Sequence, residues 1–109
     1  MIVSTTETVA DREIIETLGV ARGNTIRARH VGTDIIAGLR NIVGGEISEY
    51  TKLLAEAREQ ALDRMIDNAR SIGADAVVSM RFSTSMVSQG AAEILAYGTA
   101  VKLKQPLNS

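Results

Sequence analysis

Six residues in this chain combine chemistry-bearing side chains with positions that ought to be dry: Glu46, Arg58, Arg64, Asn68, Arg81 and Glu93. The first four sit on a long run with helical periodicity, where successive residues turn by about 100°. With Tyr50 as origin, Asn68 returns to the centre of the apolar stripe, Glu46 and Arg64 share one flank, and Arg58 takes the other. Arg81 and Glu93 fall on two β-like segments downstream and are natural partners for them. Groups of this kind, buried without partners, cost several kcal/mol each. Two readings follow. One is a polar pocket for an anionic or hydrogen-bonding ligand. The other is an ion-pair network that fixes how subunits pack, and the two look alike in sequence.

Recognisable catalytic chemistry is absent from the pattern. No Gly-rich loop ends in Gly-Lys-Ser/Thr, and neither a Gly-x-Ser-x-Gly elbow nor His-Glu-x-x-His occurs. Ser83, Thr84 and Ser85 supply hydroxyls, yet the only histidine, His30, is remote in sequence and no cysteine can act as nucleophile. Glu46 and Glu93 are the one carboxylate pair worth naming for acid–base work, and nothing in the sequence places them together. The reading leans against an enzyme, and nothing calls for a cofactor. One His and no Cys cannot build a zinc or copper site within one chain. Ligands shared between subunits, one per chain on a symmetry axis, remain the only such arrangement.

The elements that must position these residues follow from periodicity. A short first strand precedes a polar connection over residues 5–13. Ile14–Arg29 reads as a strand interrupted by bulges or a bend at Gly19 and at Gly23-Asn24. Thr33–Val43 reads as a short helix stopped by Gly44-Gly45. Glu46–Ile72 reads as a long amphipathic helix, with Tyr50, Leu54, Ala57, Ala61, Met65 and Ile72 on its apolar stripe and Gly73 as its cap. Ala74–Phe82 and Ala91–Leu103 read as a β-hairpin turning at Val87–Gly90.

Period-two parity puts Ala76, Val78, Met80 and Phe82 on one hairpin face with Leu95, Tyr97, Val101 and Leu103. Val77, Ser79 and Arg81 then share the other with Ala92, Ile94, Ala96, Gly98 and Ala100. If the helices cover the first face, the second, rich in small residues, is left naked and marks a homo-oligomer interface. The first or second strand covering it within one chain is the competing explanation.

The bulk numbers bound the rest. At 109 residues the chain is one domain, 1–109, with 45% apolar and 23% charged residues. Only Tyr50, Phe82 and Tyr97 are aromatic, so the core must be aliphatic. A net charge of −1 offers no field for nucleic acid or an anionic membrane. The basic stretch Arg22, Arg27, Arg29 and His30 lacks aromatic interleaving and reads as a solvated face. No apolar run approaches the roughly 20 residues that span a bilayer. The N-terminus has no basic start and long apolar core, so the expected location is cytoplasmic.

Gly44-Gly45-Glu46, Tyr50–Leu54, Ala57-Arg58, Arg64-Met65 and Gly73–Val78, with Arg81-Phe82, Thr84-Ser85 and Ala96–Val101, resemble the YbjQ-like family. That family often carries the description "putative heavy-metal-binding". The resemblance covers essentially the whole chain and is specific from Gly44 to Val101. It implies an α+β subunit, a small sheet with a C-terminal hairpin packed by one long and one short helix. It further implies a dodecin-like fold that assembles as a ring, with five copies. It brings no established activity or catalytic residues, and its metal description fits this member's ligand count poorly. The expected function is therefore a non-enzymatic ring-forming protein that pairs with itself and holds a small ligand of unknown identity at subunit junctions. The alternative is a metal-binding protein with shared ligands.

Overall fold

The computed structural model describes residues 1–26, 47–88 and 91–106. The order is β1 (Ile2–Val3), β2 (Ile14–Ile26), α1 (Ile47–Ser71), β3 (Ala76–Ser88) and β4 (Ala91–Leu103). They form a mixed four-stranded sheet in the order β1-β3-β4-β2 with one helix against it. The short helix expected over Thr33–Val43, the residues Arg27, Arg29, His30 and Glu46, and the turn at Gln89-Gly90 lie outside the described residues.

The helix forms where the apolar stripe predicts it. Ala57, Ala61, Met65 and Ala69 are fully buried, while Glu56, Gln60, Asp63 and Asp67 face water. Burying Met65 alone stabilises by about 1.5–3 kcal/mol. Its end is a two-bond reversal: Gly73 N donates to Arg70 O at 3.0 Å and Ala74 N to Ala69 O at 3.0 Å. Gly73 takes φ +83°, the left-handed conformation such a cap needs. Ile72, expected on the stripe, is 41% exposed because the cap swings it off the packed face.

Small residues bring helix and sheet together. Ala21, Val77, Met80, Ile94, Ala96 and Ala100 form the sheet side of the core under α1. The small-residue face is therefore the covered one, which corrects the expectation that it is left naked. Neither β1 nor β2 lies across it, since both extend the sheet sideways. Gly23 is no bulge either, because β2 continues through it and pairs it with Ala96. A Cβ at position 23 would lie 2.6 Å from the carbonyl carbon of Arg64 and closer still to Met65 N and Ala61 O. The expected irregularity near Gly19 is present, as a register shift between Thr17 and Gly19.

The hairpin parity holds only in part. Ala76, Val78, Val101 and Leu103 share one face, with Val9 and Ile14 packed on it, as period two requires. Ser79 then takes φ +54° and the register shifts between Val78 and Arg81. This bulge exchanges the faces beyond it. Met80 joins the helix-side core, Phe82 pairs with Ala96 on that side, and Arg81 pairs with Tyr97 on the back. Gly98 opposes the bulge, where a Cβ would meet Val78 O at 2.9 Å. Gly23→Ala is expected to cost about 3 kcal/mol or more, because the obstructing atoms are helix backbone that cannot rotate away. Chemical denaturation checks this, and a change under about 1 kcal/mol would show that α1 can be lifted freely.

Candidate functional site

The long helix lies mainly over β2, and one flank of it overhangs the outer edge of that strand. Edge strands present unpaired backbone groups, which a covering element can satisfy. Two side chains from α1 do this here. Asn68 Oδ1 accepts the Arg22 backbone N–H at 2.9 Å, and Arg64 Nη1 donates to the Asn24 carbonyl at 2.6 Å. On the back of the sheet, Asn24 Nδ2 donates to Glu93 Oε2 at 3.1 Å. Helix, β2 and β4 are thus stitched through one residue, Asn24.

Of the six sequence-predicted residues, Arg64, Asn68 and Glu93 gather at this edge. Arg58 is exposed on the opposite flank of α1 and does not join them. Arg81 lies elsewhere, with Nη1 donating to Thr5 O at 3.0 Å and to Met80 O at 2.8 Å, so it clasps the N-terminal segment. That segment is held against β3 by Ser4 N to Val77 O at 2.9 Å and Ser79 N to Thr6 O at 2.8 Å. Arg81 and Glu93 therefore do not pair with the helix arginines as an ion-pair network would require. Among the described residues the ion pairs are Arg70–Asp67 at 3.9 Å and Lys104–Glu13 at 3.8 Å, both largely exposed. Pairs of this kind contribute at most about 1 kcal/mol.

Sequence reasoning missed Asn24 and the backbone of Arg22. Gly23-Asn24 was visible as a pair, but nothing in it tells that β2 is an edge. Thr25 was also missed. It is only 3% exposed, and its hydroxyl has no hydrogen-bond partner among the described residues. The edge arrangement is chemically quiet: a guanidinium on a carbonyl and an amide on an N–H position chain segments and activate nothing. Among the described residues no three of His, Cys, Asp or Glu stand together as a metal centre would need. The donor set of the chain, one His and no Cys, does not fit a heavy-metal site within one subunit.

Comparison with known proteins agrees with the architecture. Residues 1–104 match the family model YbjQ_1, described as "Putative heavy-metal-binding". The chain belongs to this family. Curated relatives include a UPF0145 protein of Methanosarcina acetivorans, 63% identical over 103 residues, covering 94% of this chain and 97% of the relative. Another, from Archaeoglobus fulgidus, is 64% identical over 104 residues, covering 95% and 96%. Among solved structures, a protein of unknown function of the DUF74 family from Pediococcus pentosaceus superposes with a TM-score of 0.63. It is 14% identical and covers 95% of this chain and 98% of that one, so it shows the shared fold alone.

Within this family member, Asn68→Ala is expected to lower stability by about 1 kcal/mol, since it strands the Arg22 N–H at the helix–edge seam. Arg64→Ala should cost about the same, since both bonds lie at the exposed edge. Equilibrium urea unfolding measures both. An Asn68→Ala protein as stable as the parent would mean that this edge is held by packing alone.

Proposed function

We propose that this chain is a building block without chemistry of its own, which assembles with copies of itself into a closed ring. The observation that carries this reading is the apolar surface on the back of the sheet. Val20 is 67% exposed, Ile26 55% and Tyr97 37%, and all three lie on the face away from α1. Exposed apolar side chains on one sheet face, here set among Arg22, Asn24 and Glu93, offer a surface for a partner.

A cytoplasmic ring of five is the assembly that the family resemblance suggests, and junctions between copies would be the place for a small ligand. Neither nucleic acid nor membrane is a partner in this reading. Among the described residues no helix is long and apolar enough to cross a membrane. The metal description of the family would apply here only if several copies each contributed a donor.

Native mass spectrometry of the tag-free protein should give a single closed multiple of the 11.6 kDa chain and report any retained metal or small molecule. Tyr97→Glu combined with Val20→Asp should shift that species to monomer while far-UV circular dichroism keeps its shape. A parent protein that is strictly monomeric at micromolar concentration overturns the proposal.

A further inference from the structure

Residues 4–6, which continue β1, fold into a tight turn against the outer edge of β3. Ser4 Oγ accepts the Thr6 N–H at 3.0 Å, and Thr6 Oγ1 donates to Thr8 O at 2.6 Å. The turn aims three successive carbonyls at three successive residues of β3. Ser79 N donates to Thr6 O at 2.8 Å, Met80 N to Ser4 O at 3.0 Å, and Arg81 Nη1 to Thr5 O at 3.0 Å.

These bonds fall on the bulge. In a regular strand neighbouring N–H groups point to opposite edges. Ser79 and Met80 are neighbours, yet both N–H groups leave β3 on its outer side. Without the bulge, Met80 would turn its N–H to β4 and sit opposite Tyr97, the position that Arg81 holds. The bulge therefore needs an acceptor outside the sheet, and Ser4 O is that acceptor. It also needs Ser79 at φ +54°, a conformation that strains a residue with a side chain.

A second register is open to the same hairpin. Met80 opposite Tyr97, continued regularly, brings Phe82 opposite Leu95 and Met86 opposite Ala91. In the structure Met86 faces Ala92 and Ser88 faces Ala91, with a further register shift between them. The regular register removes both irregularities and leaves residues 87–90 as the connection, a length that hairpins commonly use. It also relieves Ser79. Two features oppose it: the burial of Met80 on the helix side, and the N-terminal turn.

We propose that the N-terminal turn is a register switch for β3. Docked, it supplies the acceptors that the bulge requires and keeps Met80 and Phe82 on the helix side. Released, it lets β3 slide by one residue into the regular register, which turns both side chains to the back beside Tyr97. Whatever draws residues 4–6 away thus changes which apolar groups each face presents. The effect on assembly rests on the ring reading, whereas the register change does not.

NMR on the full chain reads the register directly. The parent should show cross-strand contacts of Arg81 with Tyr97 and protected Ser79 and Met80 amides. Ser4→Ala with Thr6→Val unmakes the turn, and Arg81→Gln shortens the reach to the Thr5 carbonyl. In this triple variant the Ser79 and Met80 amides should exchange at least about tenfold faster. A second set of peaks, with contacts of Met80 to Tyr97 and Phe82 to Leu95, should reach about 10% or more. The Asp75 N–H, bonded to Val101 O at 2.9 Å, lies before the bulge and should stay protected if the sheet is intact. Adding Ser79→Gly, which takes φ +54° freely, should restore the single bulged set. Ser79→Gly alone should slow Met80 exchange by about threefold or more, a readout that stands even if the triple variant does not fold. The proposal is overturned by a folded triple variant with the parent's contacts and exchange. It is equally overturned if Ser79→Gly neither restores the bulged set nor slows Met80 exchange. A monomeric parent sinks the ring reading and leaves these readouts untouched.

Discussion

Everything in this fold depends on how closely one helix can lie on one strand. The backbone of α1 at Ala61–Met65 rests directly on Gly23, with no side chain between them. Alanines 57, 61 and 69 of the helix and 21, 96 and 100 of the sheet keep that approach short along its length. Such packing buries little area per residue, and dispersion across a close contact carries a larger share of its stability than large hydrophobes would. The low aromatic content is the compositional trace of this choice.

The same approach explains where the polar side chains go. A helix seated so near the outer strand can reach its edge with side chains as short as Asn68, and Arg64 bends back to a carbonyl two residues along β2. Residues that looked like reactive groups on a dry stripe are thus the price of docking a helix over a strand edge. Their partners are main-chain atoms, the most common partners of side-chain hydrogen bonds. Glu93 completes the seam from below through Asn24.

Much of this was legible in sequence because it is periodic. The helix, its Gly73 cap, the hairpin and the aliphatic core follow from spacings of 3.6 and two. The failures have local physical causes. One extra residue at Ser79 inverts alternation for Met80, Arg81 and Phe82, and serine carries no signal for it. Gly23 reads as an interruption until the helix that needs its missing side chain is in place. Which sheet face is covered, and which strand is the edge, depend on strand order, to which alternation is blind.

The bulge at Ser79 has a consequence for the proposed assembly. Without it, Met80 and Phe82 would fall on the back of the sheet with Ala76 and Val78. With it, Phe82 is presented on the helix side, 43% exposed, while Val20, Ile26 and Tyr97 are presented on the back. Two unlike adhesive surfaces on one subunit favour head-to-tail contacts over a self-complementary two-fold pair. In the proposed assembly, a single-residue slip in one strand is what gives the subunit two different surfaces to offer.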